Sequence, residues 1–346
     1  MSFDRAVASR RHFLAGAIAL PVYACFAPAD AATGRSFVGN RRRGGSKGEG
    51  GEGIRATSGM TLRNCTFRNL GNGGVRVARP INGLTIENCQ ADNLYRFLEV
   101  SQPAKGGSAR LSNFRLRKIT ARNLDHGFSR IRYGSHTGVI EDVVAYASAR
   151  CDDYCVGFQL DETAHDIRYI RAEAHGFRES ARPRDKYWNG DGFSDERGNS
   201  HIAYIDCLAT GCSDGGFDLK SAGVQLSNCL ARANKRNFRL WGSGTLTRCT
   251  SENPKHYGGT GGTAHFAFHG NAGRFVLDRP VVRAARGNTA PVFLIETKGP
   301  VTIEIRNADI DAPSAPLFKV QGPSPKIIWV PEQKKQKIRV AAQGRG

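Results

Sequence analysis

The sequence predicts an all-β fold, a right-handed parallel β-helix in which short strands stack coil upon coil. Three observations support this prediction: a repeated strand that ends in Asn or Asp before Cys, a second repeated strand centred on Phe, and 41 glycines among 346 residues. One coil cannot bury its apolar face alone, but coils stacked about 4.8 Å apart bury a continuous core. Helical repeats would need long regular runs, which the abundant Gly and Asn would break.

The first repeated element is an alternating apolar strand that runs into a cysteine. Its copies read MTLRNCTFRN, LTIENCQADN, IAYIDCLATG, VQLSNCLARA and LTRCTSEN. The cysteines at this position are Cys65, Cys89, Cys207, Cys229 and Cys249. Their regular context predicts buried thiols that pack as small apolar groups, and we expect each corner Asn to hydrogen-bond the Asn of the next coil. The one disulfide that the sequence leaves open joins Cys151 and Cys155, with Cys212 as a further candidate.

The second repeated element places a phenylalanine in a short strand of each coil. These residues are Phe97, Phe128, Phe158, Phe193, Phe217 and Phe238. The step from Phe193 to Phe217 is 24 residues and the step from Phe217 to Phe238 is 21, which matches one coil of a β-helix. The longer steps predict coils that carry inserted loops. Weaker apolar strands after Gly270 predict that the solenoid continues to about Val330.

The chain divides into four segments. Residues 1–31 are interpreted as a twin-arginine signal peptide, because Arg10 and Arg11 precede an apolar stretch, residues 15–26, that is too short to span a bilayer comfortably. Residues 32–53, rich in Gly and Arg, are expected to form a flexible linker. Residues 54–330 are the predicted β-helix domain and residues 331–346 a basic tail. We expect a periplasmic or secreted monomer that does not stay in the membrane after its leader is removed.

The charge of the chain indicates the class of its partner. The formal net charge is +19, with 50 Lys and Arg residues against 31 Asp and Glu. A field of this sign concentrates polyanions and speeds their capture. Because an exported protein meets acidic polysaccharide more often than nucleic acid, we predict an acidic polysaccharide as partner and no nucleic acid.

Candidate functional residues follow the repeated phenylalanines. Alternate side chains of a strand face opposite sides, so the residue after each inward Phe faces outward. The predicted outward column is Gln159, Ser194, Asp218 and Arg239, and the column beside it is Asp161, Glu196, Lys220 and Trp241. Asp191 and Asp214 lie just upstream, at the corners that enter two of these strands. One interpretation is a ladder of surface ion pairs, each of little value to stability; the other is a functional patch.

These residues share one stretch, residues 189–242, which reads NGDGFSDERGNSHIAYIDCLATGCSDGGFDLKSAGVQLSNCLARANKRNFRLWG. It resembles the catalytic region of family 9 polysaccharide lyases, which are right-handed β-helix pectate lyases. Their pattern runs Asp-Gly-Phe, a Gly-Asn turn, a Cys-Xaa-Ala strand, Asp-Asp-Gly-Trp-Asp-Leu and, one coil later, Gly-Phe-Lys-Leu-Gly. The resemblance implies that Asp191, Asp214 and Asp218 bind a calcium ion. Gly215 stands where the family has a further aspartate, and Arg239 stands where it has its catalytic lysine.

The implied reaction is β-elimination from a uronic acid. It requires a base that removes the proton next to the carboxylate and a cation that neutralises the developing charge. Arg239 is the first candidate for the base. Because arginine is a poor base, Arg239 is alternatively a clamp that holds the uronate carboxylate through two hydrogen bonds. Lys220, on the same face two residues past Asp218, is the reserve candidate for the base.

Further residues are candidates for binding the substrate. The loop inserted between Phe158 and Phe193 brings Arg184, Lys186 and Trp188 next to Asp-Gly-Phe. The full set of predicted substrate contacts is Arg184, Lys186, Trp188, Arg236 and Trp241. Trp188 either stacks on a sugar ring or fills a gap in the side of the solenoid.

Two alternatives to a lyase remain open from the sequence. A glycoside hydrolase on the same scaffold would need two carboxylates about 5 to 9.5 Å apart, for which Asp191, Asp195 and Asp218 are the candidates. The second alternative is a β-helix that binds polysaccharide without catalysis. The replacement of an aspartate by Gly215 and of a lysine by Arg239 favours this second alternative.

Overall fold

The computed structural model describes residues 31–102, 106–149, 151, 154–180, 182–330 and 337–341. These residues form a right-handed parallel β-helix of about 11 coils, as the sequence predicts, and contain no helix. The twin-arginine segment and part of the C-terminal tail lie outside the described residues. Over the described ranges, no helix is long and apolar enough to cross a membrane.

Thirty strands make up the solenoid. They are β1 (Ala31–Thr33), β2 (Ser36–Val38), β3 (Ile54–Arg55), β4 (Thr61–Arg63), β5 (Thr66–Leu70), β6 (Val75–Val77), β7 (Pro80–Val100), β8 (Arg110–Ile131), β9 (His136–Ala147), β10 (Val156–Leu160), β11 (His165–Ile170), β12 (Glu173–His175), β13 (Asp191–Asp195), β14 (Ser200–Ile205), β15 (Leu208–Thr210), β16 (Gly215–Leu219), β17 (Val224–Ser227), β18 (Leu230–Arg232), β19 (Arg236–Leu240), β20 (Gly244–Thr247), β21 (Thr250–Glu252), β22 (Ala264–Phe268), β23 (Gly273–Asp278), β24 (Val281–Arg283), β25 (Phe293–Ile295), β26 (Val301–Arg306), β27 (Asp309–Ala312), β28 (Phe318–Val320), β29 (Lys326–Val330) and β30 (Lys337–Val340).

Each coil contributes a strand to each of three parallel sheets. Sheet I contains β3, β6, β10, β13, β16, β19, β22, β25 and β28, together with the last residues of β7 and β8. Sheet II runs through β1, β4, β11, β14, β17, β20, β23, β26 and β29. Sheet III runs through β2, β5, β12, β15, β18, β21, β24, β27 and β30. The long strands β7, β8 and β9 pass through sheets II and III without a break, and β7 and β8 continue into sheet I.

The core of sheet I is a ladder of phenylalanine rings, one from each of nine successive coils after the first two. The rings are those of Phe97, Phe128, Phe158, Phe193, Phe217, Phe238, Phe266, Phe293 and Phe318. Neighbouring centroids lie between 4.8 Å (Phe193 to Phe217) and 5.8 Å (Phe266 to Phe293) apart. This spacing is the strand separation within a parallel sheet, so the parallel register itself stacks the rings. The prediction that these side chains point inward is confirmed.

The corners between sheets II and III carry the repeated Asn and Cys. Asn64, Asn88 and Asn228 adopt φ of 54°, 53° and 55°, a left-handed conformation that Asn tolerates better than most residues. The side-chain amide of Asn88 donates to Oδ1 of Asn64 at 2.7 Å, and that of Asn228 donates to Oδ1 of Asp206 at 3.0 Å. The predicted amide ladder is therefore present.

The cysteines follow the two expectations made for them. Those of the repeat are buried free thiols, as is Cys212. Cys151 and Cys155 form a disulfide, so the alternative pairing with Cys212 is not used. The thiols thus serve as apolar packing groups at the corners.

Both ends of the β-helix domain differ from the expected boundaries. Residues 32–53, expected to be a flexible linker, include most of β1 and the whole of β2, and Arg41 is buried in an ion pair with Asp125 and a hydrogen bond to Asn93. These partners lie in later coils, so this segment forms the first coil. In the expected tail, β30 pairs with β27, and Arg339 donates to Asp311 at 2.6 Å. Gly and basic residues surround β1, β2 and β30, and for this reason the sequence did not indicate these short strands.

Candidate active site

The outward columns of sheet I have the predicted register. Ser194 pairs with Gln159 on one side and with Asp218 on the other, and Asp218 pairs with Arg239. One residue beyond each strand, the backbone N–H of Glu196, Lys220 and Trp241 bonds to the preceding coil, which continues the second column. The sequence therefore predicted which side chains share this face.

Three carboxylates converge at the centre of this face. Asp191 begins β13, Asp214 lies at the corner before β16, and Asp218 lies within β16. One oxygen of each carboxylate lies within 4.8 Å of the others. All three residues are buried, with exposed fractions of 5%, 0% and 3%. The predicted cluster exists, but its carboxylates lie beneath the surface.

Arg239 lies across the carboxylates. Its Nη1 donates to Oδ2 of Asp214 at 2.8 Å and to Oδ2 of Asp218 at 3.5 Å. Its guanidinium carbon also lies 4.7 Å from the centre of the Trp241 indole. The side chain is 12% exposed, so its edge reaches solvent while its charge is shared with two acids.

Arg236 contacts the cluster from the interior of the protein. Its Nη1 lies 3.3 Å from Oδ1 of Asp214 and donates to the hydroxyl of Tyr187 at 2.7 Å, and its Nη2 lies 3.5 Å from Oε2 of Glu296. The Tyr187 hydroxyl in turn donates to Oδ1 of Asp214 at 2.6 Å. Because Arg236 is only 4% exposed, it supports the acids and does not reach a substrate directly, contrary to the expectation for it.

Lys220 and Trp241 form the solvent-facing edge of the cluster. Nζ of Lys220 pairs with Glu196 and lies 3.6 Å from Oδ2 of Asp218. Nε1 of Trp241 donates to Oδ1 of Asp218 at 2.6 Å. The side chain of Lys220 is 20% exposed and that of Glu196 is 39% exposed. A ligand arriving from solvent therefore meets Lys220 with its partner Glu196, Arg239 and Trp241 before it meets the buried acids. We call the face formed by Lys220, Arg239 and Trp241 the cationic rim.

The close contacts in this cluster shift the pKa values of Asp191, Arg239 and Lys220. Burial raises the pKa of Asp191 well above its usual value, and the neighbouring Asp218 and Asp214 raise it further. Burial acts to lower the pKa of Arg239 and of Lys220, but the adjacent carboxylates, led by Asp218, outweigh it and raise both above their usual values. Two cations are thereby held in their charged forms beside the acids.

The loop predicted to wall a groove contributes less than expected. Trp188 is buried and packs over Gly258 and Gly259, and its Nε1 donates to the carbonyl of Pro183 at 3.0 Å. A Cβ at Gly259 would approach the indole to 2.7 Å, so the glycine is needed for this contact. Trp188 thus fills the side of the solenoid and is not available to stack on a sugar.

The two loop cations are exposed, away from the acids. Arg184 and Lys186 face solvent, and Lys186 lies 3.5 Å from Asp185. The loop residue that does join the cluster is Tyr187, which the sequence analysis did not single out. The local sequence does not indicate which of the two neighbouring rings, Tyr187 or Trp188, contacts Asp214. The packing of the loop against the coils determines this.

Lys235 is a second residue that the sequence analysis missed. It is fully buried, its Nζ donates to the carbonyl of Thr260, and this nitrogen lies 4.0 Å from the centre of the Tyr187 ring. Burial lowers its pKa to about 8. The signal that could have found it is its position, one coil above Asp214 at the same corner.

Asp195 does not join the carboxylates, although it was a candidate for the hydrolase alternative. It points into the solenoid, where Oδ1 accepts from the backbone N–H groups of Lys220 and Ser221 at 2.7 Å each. Its Oδ2 accepts from the Ser221 and Tyr204 hydroxyls at 2.9 and 3.2 Å. All four donors belong to neighbouring strands and corners, so Asp195 is a structural residue.

Whether the acids fit the calcium ion implied by the resemblance depends on which of their oxygens are free. Their separation suits one ion, since calcium binds oxygens at 2.3–2.6 Å, which puts two ligands about 5 Å apart at most. However, Asp214 and Asp218 already accept from Arg239, and Asp191 Oδ1 accepts from the N–H of Gly215 at 2.6 Å. With Arg239 in place, the residues present do not fit a calcium ion.

The comparisons with known proteins find distant structural neighbours and no match by sequence. No protein-family model matches the sequence, and no curated protein matches it. Among solved structures, the A-module of a mannuronan C-5 epimerase from Azotobacter vinelandii is 11% identical, with a TM-score of 0.47 over 91% of this chain and 90% of that chain. An endo-xylogalacturonan hydrolase from Aspergillus tubingensis is 11% identical, with a TM-score of 0.38 over 88% and 93%. A pectate lyase is 13% identical, with a TM-score of 0.38 over 75% and 72%.

These three proteins are named for three different reactions. The fold and the cluster define a narrower class by themselves. The chain is a right-handed parallel β-helix protein that carries a buried carboxylate cluster under a cationic rim on sheet I.

Proposed function

We propose that this chain is a lyase that cleaves an acidic, uronate-containing polysaccharide by β-elimination at the cationic rim. The observation that supports the proposal most strongly is that Arg239 and Lys220 reach solvent side by side while buried acids hold them charged. A uronate carboxylate is the ligand that such a pair attracts.

A long polyanion fits the outward face of sheet I beyond this rim. The register places Arg55 beside Arg76, then Glu99 one coil further on, and Arg130 one coil after that in the same column. Arg55, Arg76 and Arg79 also line a surface cavity of about 550 Å³. A chain of uronate units lying along the column would meet three arginines and one glutamate before it reaches the cationic rim, and this excess of positive charge is in line with the net charge of +19.

In the proposed reaction Arg239 is the carboxylate clamp and Lys220 the base. The raised pKa of Arg239 removes it as a base, whereas its charge neutralises the enolate-like intermediate. Lys220 takes the proton from the carbon next to the carboxylate, the electron pair forms the new carbon–carbon double bond, and the bond to the 4-linked sugar oxygen breaks. That oxygen is protonated from water. Calcium has no part in this scheme.

The base must first lose its own proton. Asp218 and Glu196 raise the pKa of Lys220 above 10.5, so the neutral amine is scarce at pH 7. We therefore expect turnover to increase with pH through the alkaline range, up to the pKa of Lys220 in the complex with substrate.

The test is incubation of the protein with a panel of polyuronates, followed by near-ultraviolet absorbance of 4,5-unsaturated ends. We expect a product that forms faster at alkaline pH and is insensitive to chelator. Arg239→Ala and Lys220→Ala should each lower the rate at least about 100-fold, and Asp218→Ala should lower it less. Arg68→Ala, which removes an exposed arginine from sheet III, is the control and should leave the rate unchanged.

Two outcomes would redirect the proposal. If Lys220→Ala keeps its rate and Lys235→Met loses it, the base is Lys235, whose pKa of about 8 suits the task but whose amine is buried. If polyuronate binds without any unsaturated or hydrolysed product, the chain is a binding protein. The observation that favours this second candidate function is the burial of all three carboxylates.

A further inference from the structure

The three carboxylates of the cluster need a cation to coexist. Asp191, Asp214 and Asp218 offer oxygens within 4.8 Å of one another, and each is at most 5% exposed. Carboxylates that are this close and this deeply buried repel strongly when charged, and proteins relieve such repulsion by protonating one acid, with a metal ion or with a basic side chain. The geometry identifies the positive group that serves this cluster.

A single nitrogen bridges two of the carboxylates. Nη1 of Arg239 lies 2.8 Å from Asp214 and 3.5 Å from Asp218, so one positive group serves both, as an ion would. The remaining oxygens have donors as well. Trp241 Nε1 donates to Asp218 at 2.6 Å, and the Tyr187 hydroxyl donates to Asp214 at 2.6 Å.

Gly215 leaves no space for another acidic ligand. A Cβ at this position would lie 2.9 Å from Cβ of Asp218 and 3.0 Å from Oδ1 of Asp191. Both contacts are tighter than side chains ordinarily make. The N–H of Gly215 instead donates to Asp191 at 2.6 Å, so the backbone takes the place of a ligand on that side.

We propose that the guanidinium of Arg239 replaces a divalent cation as the positive charge that bridges Asp214 and Asp218, with Arg236 and Lys220 each beside only one of these acids, and that its removal uncovers a calcium site made of Asp191, Asp214 and Asp218. The wild-type chain then binds no calcium at this cluster. The proposal concerns the cluster alone and holds whether or not the chain cleaves polysaccharide.

The experiment compares the wild-type chain with Arg239→Ser by calorimetric titration with calcium and by thermal unfolding, after chelator and dialysis. Arg239→Ser should bind one calcium ion, with a dissociation constant of about 10⁻⁴–10⁻³ M, as open sites of extracellular modules do. Millimolar calcium should raise its melting temperature by about 3 °C or more. The wild-type chain should show neither effect.

Two further variants assign any binding to the cluster. Arg239→Ser combined with Asp218→Asn should lose the calcium response. Arg130→Ser is the matched control, because Arg130 lies in the same outward column and pairs with Asp161 at 2.6 Å, away from the three acids. It should not acquire a calcium response.

Two results would overturn the proposal. One is calcium binding by the wild-type chain that Asp218→Asn abolishes. The other is a folded Arg239→Ser that does not bind calcium. If Arg239→Ser does not fold without metal, Arg239→Gln, which keeps an amide donor, is refolded in calcium and in sodium of equal ionic strength. Rescue by calcium alone supports the proposal, and equal yields in both salts contradict it.

Discussion

The carboxylate of Asp195 links neighbouring strands and corners by hydrogen bonds, but its burial lowers the stability of the folded chain when the group is charged. It is completely buried, and two backbone N–H groups and two hydroxyls donate to it. Burial nevertheless outweighs these hydrogen bonds and raises its pKa from 3.8 to about 6. In the unfolded chain the same group has its ordinary pKa, so the folded state binds the proton more tightly.

This raised pKa predicts a pH dependence of stability. Between about pH 4 and pH 6 the folded chain holds a proton on Asp195 that the unfolded chain has lost, so stability decreases as the pH rises through this window. The loss is about 3 kcal/mol. Asp195→Asn cannot titrate and keeps an oxygen for the N–H groups of Lys220 and Ser221, so it should remove this slope.

The measurement is the free energy of unfolding from urea titrations at pH 4 to 7 for both proteins. The difference between them isolates Asp195 from the other acids. Parallel curves for the two proteins would show that folding does not raise the pKa of Asp195.

At the scale of elements, the corners decide where the chain leaves one sheet for the next. At Asn64, Asn88 and Asn228 the chain leaves sheet II with a positive φ and turns into sheet III with the following cysteine buried. Asn88 does this at 53° while donating to Asn64. The corner therefore depends on both a backbone conformation and a side-chain hydrogen bond between coils.

Substitution of Asn88 separates these two contributions. Asn88→Ala should lower the free energy of unfolding by about 1–2 kcal/mol, because alanine is strained at positive φ and cannot donate. Asn88→Gly should lower it by less, since glycine adopts this φ freely and only the hydrogen bond is lost. Denaturant unfolding of both variants is the check. Equal effects of Ala and Gly would mean that the backbone conformation contributes nothing.

At the scale of the whole molecule, the stacked coils bring basic residues that are far apart in the sequence onto the same face. Arg55 and Arg76 are 21 positions apart in the chain but adjacent in sheet I, and they lie on the face that carries the cationic rim. Arg68 and Arg168 are exposed, as Arg55 is, whereas Arg76 is half-buried, and they lie on sheets III and II. The proposed polyanion path therefore predicts unequal roles for arginines of equal charge.

The double variant Arg55→Ala/Arg76→Ala should weaken binding of a long polyuronate about tenfold at low salt, and added salt should shrink the difference. Arg68→Ala/Arg168→Ala removes the same charge from the other sheets and should weaken binding much less. Binding is measured by titration at two ionic strengths. If both pairs lose affinity equally, only net charge matters and sheet I provides no path.

Much of this architecture could be predicted because it repeats. The Phe strand and the Asn-Cys corner each recur along the chain, so every copy strengthens the same inference, and period-two alternation assigns Asp218 and Arg239 to one face. The first coil and β30 were not predicted, because Gly and basic residues surround their short apolar patterns. Tyr187 and Lys235 were also missed, since each joins the cluster through an irregular loop or corner that has no period.

The sequence by itself determined the β-helix, its inward ladder and the outward column, because these follow from local alternation repeated at nearly constant spacing. Only the tertiary structure decided that the acids are buried, that Arg239 bridges two of them, that Trp188 packs inward and that Asp195 faces the core. Such contacts depend on distances between different coils and on how loops pack over them. Spacing along the chain does not encode those distances.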